Sequence, residues 1–241
     1  MKKILITILL VAPIVSFAAL NFDTTADTIN HGSGASIDNL GTFTWAMWVK
    51  PRTGVGNDSY LTKNGSFSDG KIMLSPDLGG DLQVVIGRAT TDLNIFTTVN
   101  FLTLDAWNFM VFTFDGSTGT IYGGSNTSKA VSIALNGSGT QGSGAISNND
   151  AASDLILGVN SVLGLGSMPM EILWFGVWNR ALSLAEIQSQ QFYPRKTAGN
   201  VINAWAGFTG MSTIADWSGS GNTGTISGLV RTFSGPRVKY R

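Results

Sequence analysis

The chain carries a single histidine and two glutamates in 241 residues, so catalysis built on those side chains can be weighed residue by residue. His31 stands in the turn-like run His31-Gly32-Ser33-Gly34. A Ser-His-Asp triad needs an imidazole aimed at an activated serine, and no nucleophile motif flanks this one. One histidine also excludes a histidine-rich metal site. Hydrolysis of a glycosidic bond asks for two carboxyl groups on either side of the bond. Glu171 falls on an expected strand and Glu186 in the first turn of an expected helix, where it is the natural capping-box partner of Ser183. The aspartates sit mostly in turns, as in Asp58-Ser59, Asp69-Gly70 and Asp115-Gly116, where bonds to the local backbone account for them. No catalytic residue is therefore assigned. Glycine spacings at 137–142 and 219–224 fit a dinucleotide loop, but neither opens a helix. The absence of cysteine rules out disulfides, thiolate zinc sites and a lipid-modified cysteine. What remains is aromatic chemistry, and Trp48 and Trp107 are the candidate ligand-binding residues.

The case for these two rings comes from the strands that carry them. Residues 43–50 alternate, with Phe43, Trp45, Met47 and Val49 on one face and Thr44, Ala46, Trp48 and Lys50 on the other, and Pro51 closes the run. The first face reads as core. The second sets a large indole between an alanine and a lysine, where a sugar ring can stack on it, its C–H face meeting the negative face of the ring. The competing reading is that an edge hairpin or the 204–228 tail covers both rings as packing. Residues 107–114 are apolar on both faces, Trp107, Phe109 and Val111 against Met110, Phe112 and Phe114, as in a central strand covered on both sides. A third aromatic strand, 172–178, runs into the capping box of Ser183 and Glu186 and predicts one short helix. Further strands are expected at 60–63, 71–74, 81–88 and 155–158. The Gly-, Ser- and Asn-rich stretch 116–154 reads as edge hairpins and loops.

Four segments resemble the laminin G-like, concanavalin A-like jelly-roll domains. Ala19-Leu20-Asn21-Phe22-Asp23 followed by Asp27 resembles their opening strand. Trp107 to Gly116 resembles their Trp-x-x-Val-x-x-x-Tyr-Asp-Gly strand and turn. Residues 178–187, Trp-Asn-Arg-Ala-Leu-Ser-Leu-Ala-Glu-Ile, resemble the last strand with its trailing helical turn, and Asp216-Trp217-Ser218-Gly219-Ser220-Gly221-Asn222 resembles an Asp-x-Ser-Gly-x-Gly-Asn motif that in many relatives comes first. The resemblance implies an all-β fold, an antiparallel β-sandwich (jelly roll, concanavalin A-like) with one short helix after the last main strand. It implies one domain over residues 19–241, in which the 204–228 tail supplies a permuted terminal strand. Relatives that hydrolyse polysaccharides use two glutamates on one strand, a pair that Glu171 and Glu186 cannot form. Calcium stays open through Asp23 and Asp27, although Ile172-Leu173-Trp174 replaces an acidic run of the relatives. No cofactor and no metal ligand is assigned.

Lys2-Lys3, the apolar run 4–15 and Ser16-Phe17-Ala18 have the plan of a secretory leader, expected over residues 1–18. The formal charge is zero and basic residues are not clustered, so binding to nucleic acid or to an anionic membrane through charge is not expected. The reading is an exported, non-catalytic binding or adhesion module, secreted, periplasmic or on the cell surface, whose partner is a carbohydrate or glycosylated surface. The alternatives are a structural surface or particle component that contacts other proteins, and a polysaccharide-degrading enzyme of the same fold.

Overall fold

Strand β1 (Ala19–Phe22) and strand β2 (Thr28–Asn30) open the fold, and β3 (Phe43–Pro51), β4 (Asp58–Lys63) and β5 (Lys71–Ser75) follow. A meander continues through β6 (Gln83–Ile86), β7 (Leu93–Phe96), β8 (Asn108–Phe114), β9 (Gly119–Ser125) and the short β10 (Val131–Ser132). After β11 (Leu155–Gly158) and β12 (Gly166–Ser167) comes the long β13 (Met170–Trp178), then helix α1 (Leu184–Phe192) and β14 (Asn200–Thr209). The chain ends with β15 (Thr213–Asp216), β16 (Gly224–Ser227) and β17 (Val230–Thr232). The computed structural model describes residues 18–24, 26–52, 58–63, 70–75, 81–98, 101–147, 150–158, 166–209, 212–228 and 230–232. The expected leader lies outside these residues, apart from its last position.

The strands form two layers, antiparallel except for the short β12, which runs parallel to β4. One runs β10-β9-β8-β3-β13, with β13 paired on its far side to β1 along residues 170–172 and to β14 along residues 174–178. The other runs β7-β6-β5-β4-β11-β2-β16-β15, and the β14–β15 pairing joins it to the first. Between them lies the main core, to which β3 gives Phe43, Trp45, Met47 and Val49, β8 gives Met110, Phe112 and Phe114, and the facing layer gives Leu61, Met73, Val84 and Ile86. The two-residue alternation read from the sequence thus selects the face of both aromatic strands that meets the main core, while the opposite face is buried in a second cluster. Strands at the two ends of the chain share the layers, β16 pairing with β2 and β17 with β1.

The Gly- and Ser-rich stretch forms edge hairpins, β9 pairing with β8 and with the short β10, and then a run of loops. Residues 135–146 lie along the edge of β7 through isolated bridges at Thr97–Leu135, Asn94–Thr140 and Thr91–Ser143, covering backbone groups that would otherwise offer an open edge. Glycine is required there. Gly142 has φ +69°, and a Cβ on it would stand 2.4 Å from the carbonyl oxygen of Thr91.

One end of the main core holds charge. Lys63 and Lys71 face each other across β4 and β5 and are buried. Lys63 Nζ donates to Asp38 Oδ1 at 2.7 Å and to the Asp150 carbonyl at 3.0 Å, while Lys71 pairs with the Asp150 carboxylate. Burial pulls the Lys71 ammonium below its ordinary pKa, and the Asp150 charge opposes that pull. This cluster ties the 38–39 turn and the loop before β11 to the edge of the sandwich.

Candidate functional site

The outer face of the β8-β3-β13-β14 layer carries a row of aromatic rings in cross-strand register. Phe109 is opposite Trp48, Trp48 opposite Trp174, and Trp174 opposite Trp205. Ring centroids are 5.4 Å apart for Trp48 and Phe109, 6.0 Å for Trp174 and Trp178, and 6.3 Å for Trp174 and Trp205. Helix α1 lies over the middle of this row with Ile187 packed into it. The expected capping box starts the helix: Ser183 and Glu186 exchange bonds with each other's backbone. Arg180 and then the Ser183 backbone N–H hold the Glu186 carboxyl down at about 2.

Trp48 is 1% exposed, and its indole N–H donates to the Gln191 carbonyl at 2.8 Å. No sugar ring can stack on it in this arrangement, so the expectation of Trp48 as a ligand platform is corrected. The cover is α1, where the sequence offered an edge hairpin or the 204–228 tail. Trp174 and Trp178 are closed in the same way, donating to Asn203 Oδ1 at 2.8 Å and to Thr197 Oγ1 at 2.9 Å. Trp107 packs against the margin of the same cluster and is half-buried, so of the two expected rings it alone keeps an edge toward solvent.

Over the β8–β9 pair is a depression of about 210 Å³ whose walls include Phe101, Thr103, Asn108, Phe109, Ser125 and Ser128. Its polar groups are largely occupied with each other. The Asn108 amide donates to the carbonyls of Thr103 at 2.9 Å and Ala106 at 2.8 Å, and the hydroxyls of Ser125 and Ser128 are 2.8 Å apart. A ligand there would have to break bonds already made.

The carboxylates are also committed. Asp27 is buried and accepts from the backbone N–H groups of Asp23 and Thr24, each at 2.8 Å, and from the Thr24 hydroxyl. It therefore acts as a turn brace. Glu171 is nearly buried and lies 3.0 Å from Lys50 Nζ and 3.8 Å from Arg52, whose guanidinium also donates to Asn21. Among the described residues no three His, Cys, Asp or Glu side chains are grouped to hold a metal ion.

The largest exposed ring lies elsewhere. Trp217 is 57% exposed, on the turn between β15 and β16. Asp216 organises this turn: Oδ1 accepts from Asn203 N–H at 3.0 Å and Ser218 N–H at 2.8 Å, and Oδ2 accepts from the Ser218 hydroxyl at 2.8 Å and Asn222 N–H at 3.0 Å. Trp217 N–H donates to the Asn203 carbonyl at 2.8 Å. Gly219 and Gly221, at φ +86° and +82°, supply the left-handed conformations that close the turn. The Asn222 amide anchors the far end on Ser36 Oγ and the Val201 carbonyl at 2.8 and 2.7 Å. Asp216, Ser218 and Asn222, the named positions of the sequence motif, are thus its frame, and one of its open positions holds an indole that faces solvent. The family resemblance of this motif rests on its Asp, Ser, Gly and Asn positions and does not involve the tryptophan. The signal was present in a large ring set among Asp, Ser and Gly, without a strand alternation to bury it.

His31 lies beneath the turn. Its Nδ1 is 2.7 Å from the Asn222 carbonyl and so must carry the proton, while the buried Nε2 has no hydrogen-bond partner. Burial pushes the imidazole below its ordinary pKa, outweighing the Asn222 carbonyl and the charge of Asp216.

Residues 23–188 match the sequence family described as the concanavalin A-like lectin/glucanases superfamily. No curated protein sequence matches the chain. Among solved structures, a proposed carbohydrate-binding protein from Bacteroides ovatus is similar at a TM-score of 0.61 and 16% identity, over 90% of this chain and 59% of that one. This chain therefore spans less than two thirds of that relative. The native heptameric SAP-like pentraxin of Limulus polyphemus is similar at a TM-score of 0.54 and 11% identity, over 91% of this chain and 96% of that one. At these identities the similarity establishes a lectin-like fold.

Proposed function

The chain belongs to the concanavalin A-like lectin/glucanases superfamily, and on that premise we propose that it is an exported, non-catalytic carbohydrate-binding module that stacks a sugar ring on Trp217. The observation that carries this reading is an indole 57% exposed on a turn fixed by hydrogen bonds to Asp216. A large apolar ring held in water costs hydration free energy, and a rigid turn removes the escape of folding it inward. The same rigidity lowers the entropic cost of binding. Sugar C–H groups fit the electron-rich face of an indole, and Ser220, exposed on the same turn, suits a hydroxyl of a polyol.

The non-catalytic part is supported by the engagement of both glutamates: Glu186 bonds Arg180 and the helix start, and Glu171 pairs with Lys50 and Arg52. Export is supported by the leader-like run 1–18. No described helix is long and apolar enough to cross a membrane.

The test is a glycan array followed by titration of the best binder with wild type and Trp217→Ala, both shown to be folded by circular dichroism. The expected result is binding by wild type and a loss of about tenfold or more in the variant, equivalent to about 1.4 kcal/mol. Equal binding by the two proteins would overturn the site. Absence of any glycan binding, together with concentration-dependent oligomers, would favour the structural alternative.

A further inference from the structure

The connection from α1 to β14 crosses beside the Trp217 turn, and hydrogen bonds hold its path. Arg195 N–H donates to Gln190 Oε1 at 2.9 Å, Thr197 Oγ1 accepts from Trp178 Nε1 at 2.9 Å, and the Ala198 carbonyl accepts from Arg180 Nε at 2.9 Å. This path sets Lys196 Nζ against the turn, 2.9 Å from where a Cβ on Gly219 would stand. A side chain at that position would have to displace the ammonium, and the backbone there, at φ +86°, already favours glycine. Lys196 is exposed and belongs to none of the ion pairs found among the described residues. Asp216, the carboxylate of the turn, has both oxygens filled by four donors of the turn frame.

The Lys196 ammonium therefore stands over Gly219, two residues along the turn from the exposed Trp217, and makes no ion pair among the described residues. The Cα atoms of positions 217 and 219 are at most about 7 Å apart, so the cation and the indole share one short turn. We propose that the Trp217 site selects anionic sugars: the ring lies on the indole and an anionic substituent of the same or the next residue pairs with Lys196. The inference rests on the reading of Trp217 as a stacking platform. Neutral sugars would satisfy the ring and leave the cation solvated, whereas an acid group satisfies both. Because the pair is exposed, the contribution of Lys196 should weaken as salt rises.

The probes are oligogalacturonate against its methyl ester, and a sulfated galactan against its desulfated parent, titrated calorimetrically into the full chain. The two pairs separate a carboxylate source of charge from a sulfate source. The expected result is that an acidic probe binds about tenfold or more tightly than its neutral counterpart. Lys196→Gln should abolish that preference, Lys196→Arg should keep most of it, and raising the salt concentration should narrow it. Equal affinity for acidic and neutral probes, failure of every acidic probe to bind, or an unchanged preference in Lys196→Gln would each overturn the inference. Binding of neutral probes that is lost in Trp217→Ala and kept in Lys196→Gln would refute the anionic preference and leave the platform standing. Binding that survives Trp217→Ala would remove the platform itself.

Discussion

Replacing Trp48 by alanine deletes an indole that is 1% exposed, packed against Phe109 at 5.4 Å and bonded to the Gln191 carbonyl at 2.8 Å. Removing a fully buried tryptophan costs about 3–5 kcal/mol through lost transfer free energy and the cavity left behind. The orphaned carbonyl at the end of α1 adds to the loss. For a domain of this size each kcal/mol moves Tm by about 2–4 °C, so the variant should melt about 6–20 °C below wild type. Trp217→Ala removes a ring that is 57% exposed and leaves the Asp216 frame intact, so it should change stability by no more than about 0.5 kcal/mol. Urea titrations followed by far-UV circular dichroism measure both, and a change in midpoint at constant slope reads out stability alone. The reasoning would be refuted if Trp48→Ala lost less than about 1 kcal/mol, or if Trp217→Ala lost as much as Trp48→Ala, since both results deny the division between structural and surface tryptophans.

Two further outcomes are expected. The folded-state pKa of His31 lies below the unfolded value of 6.5, so its contribution to stability is complete above pH 6.5 and is lost as pH falls below it toward the folded pKa. The wild-type stability curve should therefore slope downward from pH 6.5 by at most about 1.4 kcal/mol per pH unit relative to His31→Gln, and parallel curves for the two proteins would contradict the burial of a neutral ring. Asp150→Asn breaks the buried pair with Lys71 and should cost about 3–5 kcal/mol, while Lys71→Met combined with Asp150→Leu should recover much of that loss; a single variant as stable as wild type would show that the pair is not buried as described.

The sequence was most legible where apolar spacing and burial coincide. Phe43 to Val49 alternate with the strand period, Phe109 to Phe114 are apolar on both faces of a strand covered on both sides, and Ser183 with Glu186 mark the start of α1. The lid over Trp48 was hidden because α1 covers it with little apolar surface: its buried residues are Ile187, Gln190 and Gln191, and the bond to the indole comes from a backbone carbonyl. A helix that closes a hydrophobic face with glutamines leaves no amphipathic pattern to read. Lys63 and Lys71 were equally unreadable as core residues, because their burial depends on Asp38 and Asp150, which are distant in sequence. The Asp216 turn was recognised as a motif, yet the motif describes only the hydrogen-bonded frame and is indifferent to the side chain it displays.

The central claim concerns which of the seven tryptophans meets the ligand. Two-dimensional NMR of the indole N–H groups during glycan titration tests it, with the Trp217 signal assigned through Trp217→Phe. The account predicts that the Trp217 signal shifts with ligand, while those of Trp48, Trp174 and Trp178, whose N–H groups are bonded to Gln191, Asn203 and Thr197, stay in place. A stationary Trp217 signal alongside a shifting interior tryptophan would contradict it.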